Sequence, residues 1–313
     1  SEEVPDKFWR EWNALVFKIN PQSITIPEVW TNAADYLKRT GFSAAMNYYA
    51  FAMPVKAFLI DNSIKPSAFG DLLNQRRDQF PDDVQLALWN LTDSHDTDRL
   101  AQMIVNRNTT GQYKNQEKFD YDEPGNSARS NDQYQVRKPN DEDRAIQRLV
   151  TLFQLTYVGA PMFYYGVEAG IWGGDDPDCR KPMPWPDLQM EIEKTDPIGR
   201  ERAEDDPNFD ESIHDFYTRA IALHTNHAAF KTPDFAVLQA DDDRNVFVYS
   251  RGTGDDLRVV ALNRSGEEQT VPIDVRKGEV LFSTTGEPGS ILLTGEGNAR
   301  RATLPPLTGV VLQ

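Results

Sequence analysis

The sequence predicts four strand–helix units of a parallel α/β sheet followed by an antiparallel β-sandwich, and three observations carry that prediction. Short apolar runs of strand length alternate with stretches of helical periodicity from residue 24 to about 228. Polar or charged residues gather at the C-terminal end of each run. Near Pro233 the helical periodicity stops, and short apolar runs separated by turn residues take over. Alternating β and α units specify a parallel sheet with right-handed crossovers. In closed barrels of such units, the C-terminal strand ends build the active site.

Along the chain, Phe8, Trp9, Trp12, Leu15, Val16 and Ile19 recur at helical spacing, and Pro21 ends that helix. Ile24-Thr25-Ile26 reads as a short buried strand running into Pro27-Glu28-Val29-Trp30. A helix over 32–39 leads to a strand from Ser43 to Tyr49, and a helix over Pro66–Phe80 opens on a proline suited to its first turn. Val84–Leu91 reads as a strand that ends in Thr92-Asp93-Ser94-His95-Asp96, with helix at about 97–106. Residues 107–140, rich in Asn, Asp, Gln and Tyr, read as a polar surface insertion. Helix returns at about 141–156, and Ala160–Tyr165 is a fourth strand. A Gly/Asp/Pro-rich loop then spans 169–190, and a helix occupies about 209–228. These elements give a unit over 1–232 and a β-sandwich domain over 233–313. Four βα units make half of an eight-unit barrel, which leaves open parallel edges and an uncovered core, so they are not expected to be a complete fold by themselves.

Composition narrows the function. The 313 residues suffice for one large or two ordinary domains. No run approaches the ~18 apolar residues of a membrane span, and Ser1–Asp6 has neither the basic nor the apolar region of a signal peptide. A formal net charge of -16 argues against nucleic acid and against an anionic membrane surface. A neutral ligand fits better, since its binding rests on hydrogen bonds and stacking. The single cysteine, Cys179, excludes an internal disulfide framework and a cysteine-based zinc cluster. It leaves the compartment open between cytoplasmic and secreted.

Three segments carry candidate chemistry. Glu28 stands at a strand end between proline and aromatic residues, where partial desolvation favours the protonated form that a general acid needs. The plain alternative is a carboxylate that complements a helix dipole. Asp93-Ser94-His95-Asp96-Thr97-Asp98-Arg99 reads either as a helix start with acidic first-turn residues or as a site with a histidine at a strand mouth. A Ser/His/Asp triad is disfavoured there, because neighbours so close in sequence seldom converge and no nucleophile elbow is present. Gly159–Glu168 and the acidic loop Gly173–Trp185 form the third segment, and the loop lacks the spacing of an EF-hand calcium site.

In their order these segments resemble the α-amylase family of glycoside hydrolases, in its cyclomaltodextrinase, neopullulanase and maltogenic amylase branch. Pro27-Glu28-Val29-Trp30 is similar to the segment holding the family's acid/base glutamate. Ser94–Arg99 is similar to its Asn-His-Asp-Thr-x-Arg segment, with Ser94 where asparagine is usual. Gly159–Glu168 resembles Gly-x-Pro-x-x-Tyr-Tyr-Gly-x-Glu at the eighth strand, with Val167 in place of the common aspartate. Phe42–Tyr49 resembles a strand ending in Met-Asn-Tyr, and Gly173–Trp185 the loop after the eighth strand.

The resemblance implies strands five to eight of a (β/α)8 barrel, completed by the missing N-terminal half of the barrel, and a retaining hydrolase acting on α-1,4, and by extension α-1,6, glucosidic bonds of maltodextrins, cyclodextrins or starch. It implies Glu28 as general acid/base, Asp96 as stabiliser of the oxocarbenium-like transition state and His95 as a sugar ligand. Arg180, Trp30 and Tyr48 would be further sugar contacts, the two aromatic residues by stacking. The chemistry would need no metal or organic cofactor, and structural calcium would belong to the full-length protein. The family's nucleophile lies on the fourth strand in a Gly-x-Arg-x-Asp segment. The acids ahead of the first helix, Glu2 and Glu3, sit in no such motif, so the chain alone is expected to be inactive. A non-catalytic carbohydrate-binding or scaffold protein on the same fold is the competing reading.

Overall fold

A computed structural model of the chain describes residues 3–107, 125–286 and 288–313. Helix α1 (Asp6–Ile19) forms where the apolar spacing places it, with Asp6 in its first turn and Lys18 in its last, both favourable to the helix dipole. After α2 (Ala34–Thr40), residues 48–60 run on as one helical stretch, α3, wound at both ends with the wider π pitch. Helices α4 (Pro66–Arg77), α5 (Asp82–Ala87) and α6 (Leu100–Val105) follow. Helix α7 (Asp141–Thr156) starts at a capping box in which Asn140 and Asp143 satisfy each other's backbone N–H groups.

The parallel strands pair in sequence order. Ser43 N–H donates to Thr25 O and Met46 N–H to Pro27 O; Trp89 N–H donates to Ala45 O and Asn47 N–H to Trp89 O. Ala160 N–H then donates to Leu88 O, and β1 (Trp89–Asn90) pairs in parallel with β2 (Ala160–Pro161). These ladders are shorter than the sequence predicts. The segment 24–26 is extended without a regular strand, and Ile24 is exposed. The strand expected over Val84–Leu91 is corrected: its first half is α5, because Pro81 presets the entry and Asp82 and Asp83 suit a helix N-terminus. Val84, Leu86 and Leu88 alternate as in a strand, but Val84 and Leu88 also share one helix face, and so short a run does not decide between the two. Residues 108–124 of the polar insertion lie outside the described residues, and 125–140 run in turns and irregular backbone.

A hairpin absent from the sequence expectation, β3 (Glu193–Thr195) with β4 (Glu201–Asp205), stands between the 169–190 loop and α8 (Glu211–Asn226). Its strands are almost wholly charged. Arg202 pairs with Glu193 and Asp205, and Lys194 pairs with Glu204. Of these, Arg202–Glu193 and Lys194–Glu204 run between the strands and Arg202–Asp205 lies within β4.

The last part is two antiparallel sheets. One has five strands in the order β5 (Phe235–Asp241), β6 (Val246–Arg251), β7 (Arg258–Asn263), β12 (Thr308–Leu312) and β9 (Val280–Ser283). The other orders β10 (Leu292–Thr294), β11 (Arg301–Leu304) and β8 (Gln269–Pro272). The two-residue period of a strand splits the five-stranded sheet between two cores. Phe247, Tyr249, Val260, Leu262 and Val311 pack with the helices, whereas Val246, Val248, Val259, Ala261, Val310 and Leu312 pack toward the small sheet. Gly70 lets α4 approach closely at the first of these contacts, where a Cβ would lie a tight 3.2 Å from the Phe247 ring. Buried Arg264 adds a tie by donating to the carbonyls of Leu59 and Ile60.

Helix α1 is different. Its buried residue is Asn13, which donates to Thr40 O, while Phe8, Trp12, Leu15 and Ile19 are 51%, 39%, 55% and 75% exposed. An uncovered apolar side chain contributes little to stability. Leu15→Ala is therefore expected to change the unfolding free energy of the chain by less than about 0.5 kcal/mol in urea denaturation. A loss several times larger would show that α1 is covered in solution. Among the described residues, no helix is long and apolar enough to cross a membrane.

Candidate active site

The ends of the four parallel segments meet in one cluster. Glu28 follows the first, Tyr48 the second and Ser94–Asp96 the third, while the loop after β2 folds back over them with Cys179 and Arg180. The Tyr48 hydroxyl lies 3.2 Å from Glu28 Oε1 and 3.2 Å from Ser94 Oγ, and Ser94 Oγ accepts from Asp96 N–H at 3.2 Å. A continuous hydrogen-bonded line thus runs from Glu28 to the backbone of Asp96. Burial, and then the negative charges of Glu28 and Asp96, push the Tyr48 phenol far above its ordinary range. It stays protonated and donates.

Tyr48 corrects one sequence expectation. Its ring is 1% exposed and stacks on Trp30 with centroids 3.9 Å apart, so it offers no open face to a sugar. It reaches the cluster through its hydroxyl, while Trp30 remains half-buried at the edge. Two contacts orient the Asp96 carboxylate: Arg180 Nη2 donates to Oδ1 at 2.9 Å, and His95 Nε2 stands 3.4 Å from Oδ2. Arg180 also donates to His95 O at 3.1 Å and pairs with Asp176 at 2.6 Å. A nucleophilic Ser/His/Asp arrangement does not form, since Ser94 Oγ is engaged by Tyr48 and Asp96 N–H while the His95 ring turns to Asp96.

Sequence reasoning missed Ser94 as a functional link and Arg99 as the anchor of the cluster. Arg99 is fully buried; its guanidinium donates to Cys179 O at 2.5 Å and Tyr165 O at 2.6 Å and lies 4.4 Å from the centre of the Tyr164 ring. It therefore ties the end of the fourth strand and the Arg180 loop to the Asp96 segment. An arginine three residues after Asp96, at the start of a helix with no acidic neighbour on its C-terminal side, was the available signal.

Beneath the cluster, Asp98 is buried, with Tyr134 Oη donating to its Oδ2 at 3.1 Å and no partner for Oδ1 among the described residues. Burial pushes its carboxyl up to about 8, against the opposing charge of Lys56. The folded state thus keeps a proton that the unfolded chain, near 3.8, gives up. The stability carried by that proton is complete below about pH 4 and is lost progressively as pH rises to about 8. Asp98→Asn is expected to raise the melting temperature relative to the parent at pH 8, with the difference shrinking to nothing near pH 4. A difference independent of pH would refute the burial of a proton at Asp98. Among the described residues, no group of three or more His, Cys, Asp or Glu side chains is placed to hold a metal ion.

Half of a parallel barrel with a glutamate at the end of its first segment and an adjacent histidine and aspartate at the end of its third, followed by a β-sandwich, corresponds to the C-terminal region of the α-amylase family of glycoside hydrolases. Within that family the similarity runs to the neopullulanase and cyclomaltodextrinase branch. Neopullulanase 2 of Thermoactinomyces vulgaris is 30% identical over 315 residues, a match that takes in 100% of this chain and 44% of that protein. A cyclomaltodextrinase of Geobacillus thermopakistaniensis is 29% identical over 308 residues, covering 98% of this chain and 42% of that protein. A solved cyclomaltodextrinase structure superimposes with a TM-score of 0.73 at 25% identity, over 100% of this chain and 44% of its own. The chain thus spans less than half the length of these relatives. A scan of family models finds no match.

Proposed function

We propose that this chain supplies the acid/base and transition-state-stabilising side of a retaining α-glucan hydrolase. The observation that supports it is the hydrogen-bonded line from Glu28 through Tyr48 and Ser94 to Asp96, with His95 and Arg180 on the aspartate. A retaining glycosidase uses two carboxyl groups roughly 5–5.5 Å apart, one as nucleophile and one as acid/base. Glu28 protonates the glycosidic oxygen and later deprotonates the incoming water or sugar hydroxyl. Asp96, held by Arg180 and His95, carries the charge opposite the oxocarbenium-like centre. The nucleophilic carboxylate comes from the barrel half that precedes this sequence in its relatives. No step calls for a metal or an organic cofactor. The substrates are neutral α-1,4-linked glucans, consistent with relatives named cyclomaltodextrinase, neopullulanase and amylopullulanase.

The test joins the chain to the preceding half of its own protein and measures sugar release from maltodextrins, γ-cyclodextrin and pullulan. Hydrolysis of at least one, lost in Asp96→Asn, is the expected result. Glucan binding without hydrolysis would favour the non-catalytic reading instead.

A further inference from the structure

A second cleft is lined in part by the loop that carries Arg180. It encloses about 430 Å³ and is lined by Glu168, Met183, Trp185, Phe209, Glu211 and Asp215, together with Pro186 and His214. None of these residues belongs to the Glu28–Asp96 cluster. Trp185 is 55% exposed, yet its backbone is fixed. It lies within Pro182-Met183-Pro184-Trp185-Pro186, its N–H donates to Met183 O at 3.0 Å, and its carbonyl accepts from Leu188 N–H at 2.9 Å. An indole held out by a rigid turn loses little conformational freedom when a ligand covers it.

The other wall is polar. Glu168 is half-buried, Glu211 and Asp215 project from the first turns of α8, and no lysine or arginine lines the cleft. Three carboxylates repel anions and accept hydrogen bonds from hydroxyl groups. Phe209 and His214 pack on each other with ring centroids 5.1 Å apart, and Trp185, 55% exposed, offers the broadest aromatic surface of the cleft. A cage selecting organic cations surrounds the charge with several aromatic faces. A single flat platform rimmed by acceptors suits a pyranose ring, which presents C–H groups on its face and hydroxyls at its edge.

We propose that this cleft is a second glucan-binding site, in which Trp185 stacks on a glucose unit and Glu211 and Asp215 accept its hydroxyls. The choice of glucan rests on the function proposed above; the site itself rests on the cleft. It would hold a chain of sugar units beside the hydrolytic centre without taking part in bond cleavage.

The test is a titration of the 313-residue chain with maltotriose, followed by ligand-observed NMR, for the parent, Trp185→Ala, Glu211→Gln/Asp215→Asn and Asp96→Asn. Trp185→Ala is expected to weaken binding at least tenfold and the double variant several-fold, while Asp96→Asn leaves this binding in place. Equal affinity in the parent and Trp185→Ala overturns the proposal, as does the absence of any maltotriose binding. If Asp96→Asn alone removes binding, the sugar sits at the hydrolytic centre; the second site is then refuted and the proposed function stands. Tighter, salt-sensitive binding of tetramethylammonium that depends on Trp185 would assign the cleft to organic cations and also overturn it. Trp185-dependent maltotriose binding in a protein that hydrolyses no glucan would instead sink the proposed function and leave this site intact.

Discussion

In the protein that contains this chain, Glu28→Gln is expected to cut maltodextrin hydrolysis roughly 10²–10⁴-fold, the range for loss of a general acid/base. The size follows from the leaving group. A sugar alkoxide departs poorly unless it is protonated as the bond breaks, and the glutamine amide cannot supply that proton. α-Glucosyl fluoride removes the requirement, because fluoride leaves without one. Glu28→Gln should therefore form the glycosyl-enzyme from the fluoride at nearly the parental rate, and then release it slowly for want of a base. Asp96→Asn should differ. It removes negative charge opposite the developing cation, which both substrates share, so both should slow together. Equal losses on the two substrates for Glu28→Gln would deny it the role of proton donor.

The second large effect lies in the core. Phe153→Ala is expected to cost about 3–5 kcal/mol, the usual range for truncating a buried phenylalanine. Phe153 is fully buried, with ring centroids 5.2 Å from Phe69, 5.1 Å from Tyr157, 5.6 Å from Tyr249 and 5.9 Å from Phe51. Those rings come from α3, α4, the end of α7 and β6, so the cavity would open where helices and sheet meet. The loss should appear as one cooperative transition shifted to lower urea, seen equally by far-ultraviolet circular dichroism and by tryptophan fluorescence. Two separate transitions in the parent protein would mean that helices and sandwich unfold independently, against the shared core.

How much of this was legible in the sequence depends on the element. Helices α1, α7 and α8 were readable because their apolar spacing is regular, and Asn140 with Asp143 marks the start of α7. The sandwich was readable from its alternating strands. The parallel strands were overread, since their ladders are short, Val84–Ala87 of one expected strand belong to α5, and Tyr48 and Tyr49 of another open α3. The charged hairpin β3–β4 gave no apolar signal, and the ion pairs between its strands join residues that a linear reading does not bring together. At the site, Glu28 and His95 stood out from local pattern, while Asp96 and Arg180 were named from the resemblance to the α-amylase family; the structure brings all four to one end of the parallel segments. Tyr48 was named for its ring, whereas it contributes a hydroxyl. What hides its face is Trp30, a neighbour in space 18 residues away in sequence. Ser94 and Arg99 were passed over because their partners lie on other strands and on the loop after the last one.

The central claim is that this chain carries the acid/base and the stabilising aspartate while the nucleophile comes from elsewhere. The most direct measurement is sugar release from maltodextrin by the 313-residue chain alone, and again after the preceding half of its protein is supplied. The expected result is no release from the chain alone and hydrolysis once the halves are joined. Release by the isolated chain at a rate comparable to the joined protein would contradict the claim, and would require a second carboxylate facing Glu28 within this sequence.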